Sequence, residues 1–499
     1  MQAQTHTMSL NELSEIHDSL GDHKNILANS WHLMSDPDID VPLYNPMADV
    51  FPETGGALPT VPGSIELLPT GIQEILDKPA IEVTSGTPPQ VELPTDKQLK
   101  TIAGFVADGD PRFQQGSHLD AGLMEKGAEI LDQGAMRNNA TNGAVNSVVQ
   151  DIFSSAGRDP VIAHEMITGN GDMVGTEKGR PFLWDVAANQ WTDDGAAART
   201  LTDWVDDAAN NDNPVMDRMA GETAFAIADF LGDGHDRLTN LYLWPPTVGQ
   251  LNPELVQGYA EALAPYQEAM VGDHRERVPG FGPLDGQADG NYEHARKIFA
   301  IINSDPTAAS FFNEQAYQSI LEYQQVTRDA VLSPGPADGV ANSLAGRMLG
   351  VINGGADLAQ VDNGYEMRRE ALSTAVNQLS GKLPIIGDLG ADYLTNQILG
   401  DNTFDRVQTH SFTEVERMQR WIIASALAES GVPLTGFDSS FMDGTRLKTP
   451  EEIHSSTPEL LDVYYQNLRD YAANNGWGDP LTTFGDEYDR GHYDVDGPR

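Results

Sequence analysis

The chain contains no cysteine, so disulfides, thiolate nucleophiles and cysteine-based zinc sites are all excluded. No stretch approaches the ~18 uninterrupted apolar residues that a membrane-spanning helix requires. Basic residues are scarce: 30 Lys and Arg stand against 75 Asp and Glu, a net charge of −45 at pH 7. Such a chain repels phosphate backbones and anionic lipid surfaces, which argues against nucleic acid as a direct ligand. The opening MQAQTHTMSLNELSEIHDSL lacks a basic stretch followed by an apolar one, so no Sec-type signal is expected. Also missing are the G-x-S-x-G elbow of α/β-hydrolases and the G-x-x-x-x-G-K-[ST] phosphate loop.

The acidity has two plain readings, adaptation to high salt and solubility of an exported protein, and frequent Asn with a fair supply of Ile weakens the first. A length of 499 residues is enough for roughly two to four domains and at least one sizeable core. The hydrophobic fraction of 39% is low for a globular chain, and loops and polar faces account for the shortfall.

What is present is a series of helical blocks from about Leu99 to Leu427, joined by Gly, Pro and Asp or Asn. Ahead of them, Ser9 and Glu12 stand three apart just before Leu13, Ile16 and Leu20, a capping box followed by an apolar stripe. A second helix is expected over NILANSWHLM, ending before Asp36-Pro37. Eleven of the thirty prolines fall between Asp36 and Thr95, which predicts extended chain or linker, with one short helix near SIELLPTGIQEIL.

In LNPELVQGYAEALAPYQEAMVG, Asn252 is placed as N-cap, Pro253 as first helical residue, Leu251 and Val256 as a staple, and Gly272 as the exit. Asp305 and Pro306 open another helix whose face of Phe312, Ala316, Ile320 and Tyr323 reads as core, with a ligand slot as the alternative. GKLPIIGDLGADYLTNQILG reads as a membrane-inserting hairpin or a buried helix-turn-helix, and Asp388 and Asp392 favour the second, since charges in hydrocarbon are costly.

Thr449-Pro450 and Thr457-Pro458 mark two more helix starts, the second continued by Leu461, Tyr465, Leu468 and Ala472. The final FGDEYDRGHYDVDGPR is acidic and aperiodic, the signature of a mobile tail. PAIEVTSG and PPQVELP alternate for only a few residues, as edge pieces or extended linker would.

The fold class that follows is all-α or mainly α, an irregular multi-helix scaffold with a Pro-rich extended N-terminal segment. The expected organisation is N-terminal helices and linker over 1–95, a main helical domain over 96–345, a C-terminal helical domain over 346–475, and an acidic tail over 476–499. No regular period of about 33 or 34 residues is visible, so the sequence itself does not show a solenoid.

Few constellations suggest chemistry. His164-Glu165 in VIAHEMITGNGDM resembles the start of a zinc-protease helix, but position 168, where the second histidine belongs, is Thr168. GNGDMVG follows no clear strand and reads as a turn. Asp229 to Asp236 gathers three carboxylates and His235 around two glycines; it is either a hard-cation loop or, the preferred reading, a helix end with Gly232 as its stop and Asp236 as the next cap. Facing carboxylate pairs of the glycosidase kind are too numerous in so acidic a chain to choose among. In the C-terminal third, Asp438, Asp443, His454, Asp486, Glu487 and His492 supply acid–base groups for a hydrolytic effector, or else form solvated surface. No catalytic assembly, cofactor site or metal site is assigned.

The blocks TIAGFVADGDPRFQQGSHLDAGLMEKGAEIL, LWDVAANQWTDDGAAARTLTDWV, AGETAFAIADFLGD, LNPELVQGYAEALAPYQEAM and FAIINSDPTAASFFNEQAYQSILEYQ together resemble the large actinobacterial, especially mycobacterial, proteins labelled "TPR repeat region-containing". Similar blocks occur in polymorphic-toxin-like proteins of the type VII (ESX) secretion world. The resemblance spans about residues 10 to 430 and lies in the order of the blocks. It implies an exported helical scaffold with protein partners, WXG100-like modules or toxins among them, and no active-site residues. Two features depart from that pattern: the Trp31 region lacks a W-x-G turn, and no nuclease or glycohydrolase module follows residue 440.

The functional expectation is therefore a non-catalytic scaffold or accessory protein of type VII secretion or of a toxin system. The alternatives are a hydrolytic effector and a phage structural protein. Its expected place is outside the cell or at the envelope without a Sec signal, with the cytoplasm as the alternative.

Overall fold

The computed structural model describes residues 5–42, 60–84, 90–135, 142–174, 178–209, 211–241, 246–273, 278–284, 292–332, 339–359, 364–379, 412–429, 431–474 and 478–493. The architecture is mainly α, as the capping and spacing signals predict. The chain forms two compact units, residues 1–230 with 238–262, and residues 231–237 with 263–499.

In the first unit the capping box forms as expected: the Ser9 side chain accepts from the Glu12 N–H, Glu12 reaches back to Ser9, and the helix Leu10–Ser19 follows. The helix Asn25–Ser35 ends where Asp36 turns extended ahead of Pro37. Among its described residues the proline-rich stretch then holds short strands, a 3-10 turn at Ile65–Leu67 and a short α-helix, Thr70–Asp77. The two alternating fragments pair with each other, Glu82–Thr84 against Gln90–Glu92 with Val83 opposite Val91. A second antiparallel pair, Asp40–Pro42 with Thr60–Pro62, sets Val41 opposite Val61.

Beyond them, Asp96–Ala107 and His118–Ala135 both pack on Asn142–Ala156, and Arg180–Ala188 packs on His118–Ala135. Aromatic rings fill the interior: Trp31 meets Phe105 with centroids 5.6 Å apart, and Phe153 lies between Phe182 at 5.9 Å and Trp191 at 5.4 Å.

The helix Pro253–Leu263 starts where Pro253 fixes its first turn, but Asn252 does not cap it with its side chain. Its carboxamide instead donates to the carbonyls of Ala187 and Asn189 at 3.1 and 2.8 Å and accepts from the Trp191 N–H at 3.2 Å. Three backbone groups at the end of Arg180–Ala188 and just beyond it are thereby satisfied, which a single cap bond would not achieve. Gly272 leaves the last turn of this region at φ 77°, as its placement at the exit requires.

A second correction concerns residues 229–236. Gly232 does not stop a helix; Pro214–Leu238 runs through it without a break. A glycine inside a helix costs about 1 kcal/mol against alanine, and here it leaves room for the His294 ring, which an added Cβ would strike.

In the second unit, Asp305 caps the helix Pro306–Leu332 by accepting from the Ala308 N–H at 2.8 Å, and Phe312, Ala316, Ile320 and Tyr323 are all buried. Those four form core, and Phe299 packs on Phe312 with ring centroids 4.7 Å apart. Thr449 and Glu452 form another complete capping box at the start of Pro450–Ser456. Leu461–Asn474 buries Tyr464, Leu468, Tyr471 and Ala472.

Within the acidic terminus expected to be a mobile tail, the described residues are helical instead. Residues Gly478–His492 are a helix whose Phe484 and Tyr488 are fully buried. Its partner is Val340–Ala359, which contains the expected domain limit at residue 345 within its span. Gly346, Gly350 and Gly354 lie one turn apart on that helix, and a Cβ added at each would collide with the backbone carbonyls of Phe484, Tyr488 and His492 in turn. The absence of side chains at these three positions lets two helix backbones approach directly.

No helix among the described residues is long and apolar enough to cross a membrane. The segment GKLPIIGDLGADYLTNQILG lies outside the described residues.

Candidate functional site

Three arrangements concentrate polar groups. The first is buried in the first unit. His32, Ser117, Asp120 and Asp159 are each 0% exposed. His32 Nδ1 lies 3.0 Å from Asp120 Oδ2 and 3.2 Å from Ser117 Oγ, while Ser117 Oγ donates to Asp120 Oδ2 at 2.8 Å. Gln114 Nε2 donates to Asp120 Oδ1 at 3.1 Å and to the Ser155 carbonyl at 2.9 Å.

Asp159 caps the helix Pro160–Thr168 by accepting from Val161 and Ile162, and it also accepts from the N–H groups of Gly116 at 2.7 Å and Ser117 at 3.2 Å. Burial and the neighbouring Asp120 charge push the Asp159 carboxyl up to about 7, against the pull of its backbone donors. For His32, burial opposes the charged ring, but the Asp120 charge and hydrogen bond win, and its pKa rises. A serine, a histidine and an aspartate meet here, yet both Ser117 and Asp120 approach the same ring nitrogen and all are sealed from solvent. A nucleophilic triad needs them on opposite nitrogens with the hydroxyl open to substrate.

His164 and Glu165 diverge to separate partners. Thr223 Oγ1 gives its proton to the Met219 carbonyl at 2.8 Å, so His164 Nδ1 donates to it at 2.9 Å. Burial lowers the His164 pKa, which favours the neutral ring. The Glu165 carboxylate accepts from the N–H groups of Asp172, Met173 and Val174 at 3.2, 3.0 and 3.0 Å. Residues 172–174 of the GNGDMVG segment thus close on an internal carboxylate, and their N–H donors serve the chain itself.

Of the Asp229–Asp236 group, Asp229 pairs with Arg180, Asp233 with His294 Nε2 at 2.9 Å, and His235 Nδ1 with Asp236 Oδ1 at 3.0 Å.

The third arrangement is a cleft of about 600 Å³ in the second unit, walled by Val340, Leu344, Ser343, Asp273, Arg347 and Glu487. Arg347 is held on three sides. Its Nε donates to Glu487 Oε2 at 2.7 Å, its Nη1 to the Val271 carbonyl at 2.7 Å, and its guanidinium lies 4.6 Å from the centre of the Tyr292 ring. Tyr323 Oη donates to Asp273 Oδ2 at 2.8 Å.

The six acid–base residues of the C-terminal third have separate local roles. Asp438 accepts from the Ser440 N–H at 2.9 Å and caps a short turn. Asp443 faces Arg446 at 3.4 Å, and His454 and Asp486 are exposed. Glu487 also binds Arg490 at 2.7 Å, and His492 Nε2 lies 2.8 Å from Asp357 Oδ2. Only Glu487 of the six lines the cleft. Sequence reasoning missed Arg347 and the His32–Asp120–Asp159 group, because no motif spacing links residues so far apart.

Residues 1–204 match the family model described as a TPR repeat domain. No curated protein matches the chain, and no solved structure does. The buried His32 group and the Glu165-centred loop lie inside the matched stretch, and the cleft lies outside it.

Proposed function

We propose that the protein is a non-catalytic helical scaffold that acts through protein–protein contacts, serves a type VII secretion or toxin system, and works outside the cell or at its envelope. The observation that carries the contact role is the TPR repeat domain match over residues 1–204, a domain type whose helical surfaces receive other proteins. Within that stretch Ile26 and Leu33, two turns apart on Asn25–Ser35, stay 44% and 36% exposed and offer an apolar footing. The net charge of −45 suits partners with basic or apolar helices and disfavours nucleic acid. The link to secretion rests on the order of the helical blocks. A hydrolytic role draws no support from the six C-terminal acid–base groups, each described one of which is capped, ion-paired or exposed on its own.

The deciding experiment is affinity purification of the tagged full chain from an actinobacterial host, with culture filtrate, envelope and cytosol separated before mass spectrometry. Co-recovery with WXG100-like or secretion-machinery proteins in filtrate or envelope supports the reading. A solitary cytosolic protein overturns it.

A further inference from the structure

Directly before the residues that close on Glu165 stand Asn170 and Gly171. Asparagine followed by glycine is the pair most prone to attack itself, because a glycine offers no side chain to keep its nitrogen from the asparagine Cγ and leaves the backbone free to turn. The sequence holds five such pairs, starting at Asn142, Asn170, Asn353, Asn363 and Asn475. Three lie wholly within the described residues, and two of these are in the helices Asn142–Ala156 and Val340–Ala359.

A helix protects the pair. A helical ψ of about −42° holds the following nitrogen out of line with the side-chain carbonyl, and in a helix interior that N–H is already donated four residues back. Asn353 is held further: it is buried, its Nδ2 donates to Tyr488 Oη at 3.1 Å and its Oδ1 accepts from Arg368 Nη1 at 2.6 Å. Asn170 and Gly171 differ on each count. Both are exposed and outside any helix or strand. The Asn170 N–H is tied to Thr168 Oγ1 at 3.2 Å, while among the described residues none accepts from the Gly171 N–H. The Glu165 charge opposes loss of that proton, but it is already shared among three N–H donors.

We propose that Asn170 is a self-modifying residue, which turns through a cyclic imide into isoaspartate and thereby releases residues 172–174 from Glu165. The Gly171 nitrogen bonds to Asn170 Cγ and gives up its proton, the Cγ–Nδ2 bond breaks, and ammonia leaves carrying that proton. Water then opens the five-membered imide. Opening at the main-chain carbonyl routes the backbone through the former side chain and leaves a free carboxylate; opening at Cγ gives ordinary aspartate. Isoaspartate adds one backbone carbon and one negative charge. The inner side has no room for the extra length, since a Cβ added at Gly171 would already overlap the Glu165 carboxyl carbon. The Asp172, Met173 and Val174 N–H groups follow directly and are the donors displaced.

The test is to age the full chain in mildly alkaline buffer, digest it, and separate the asparagine, aspartate and isoaspartate forms of each peptide by chromatography and mass. A sample aged in urea supplies the intrinsic rates, where the fold plays no part. Corrected for these, Asn170 should convert at least tenfold faster than Asn353 in the folded chain, with isoaspartate among the products. A smaller ratio, or aspartate as the only product, overturns the site. Amide hydrogen exchange at peptides carrying Met173 and Val174 reads the release. Protection should fall in step with conversion in the wild type and hold within twofold in Asn170→Gln aged alongside, whose longer side chain closes its ring far more slowly. Wild-type protection that survives conversion overturns the release, and so does an Asn170→Gln chain that loses protection equally.

Discussion

The two units hold irregular helices by different means. In the first, buried polar side chains reach across long sequence separations, Asn252 to residues 187–191 and Asp159 to 116–117, and Glu165 does the same over a shorter span to 172–174. The second has polar ties of this kind too, such as Arg296 to the carbonyls of residues 490, 491 and 493, but adds a long seam made by the absence of side chains, where three glycines at successive turns let Val340–Ala359 meet Gly478–His492 backbone to backbone. Polar ties tolerate some movement, because a hydrogen bond bends over tens of degrees before it is lost. Backbone contact does not, since neither surface has a rotamer with which to adjust. The difference predicts that the first unit fails gradually under mutation and the second abruptly.

The largest expected effect is therefore Gly350→Leu. Its side chain meets the Tyr488 carbonyl, and the terminal helix should detach at a cost of about 3 kcal/mol or more, read as a lower urea midpoint for the second unit and lost exchange protection over residues 484–492. Arg347→Met comes next. It leaves Glu487 buried beside Arg490 alone, and breaking such a pair costs up to about 3 kcal/mol; the double change with Glu487→Leu should recover most of the loss.

In the first unit Asn252→Ala removes three hydrogen bonds and strands the Trp191 N–H, for about 2 kcal/mol, with loosening confined to residues 187–191 in hydrogen exchange. If this change unfolds the unit outright, the proposed contrast between gradual and abrupt failure is wrong. The smallest effect is Thr449→Ala. It removes one capping box and should lower stability by about 1 kcal/mol in urea denaturation, regardless of how the rest of its unit is packed.

The same division explains what the sequence made legible. The Ser9, Asp305 and Thr449 helix starts were readable because a cap acts within three residues of itself. The Phe312 to Tyr323 face was readable because helical spacing is local. Gly232 and the terminal helix were misread for one shared reason: each owes its structure to a partner distant in sequence, His294 in one case and the Gly346–Gly354 face in the other. Taken alone, an acidic aperiodic segment and a glycine in a run of polar residues do look like a tail and a stop. Asn252 was correctly placed at a helix start, but its side chain bonds were set by a loop more than 60 residues away in sequence. Of the cleft, only Glu487 and, as a helix exit, Gly272 stand out in the sequence, because a walled space is a property of several elements at once.

The glycine-faced helix also sets a timetable for synthesis. Asn353 must wait for Tyr488, 135 residues later, before its contact forms. At roughly 5–20 residues per second, the nascent chain carries an uncovered, side-chain-poor groove for roughly 7 to 27 s after that helix is made. During that interval any extended or helical segment that reaches it competes with the proper one. The vulnerability ends only when Gly478–His492 has emerged and folded onto the groove, so the order of synthesis, and not the strength of the contact, sets how long the groove stays open.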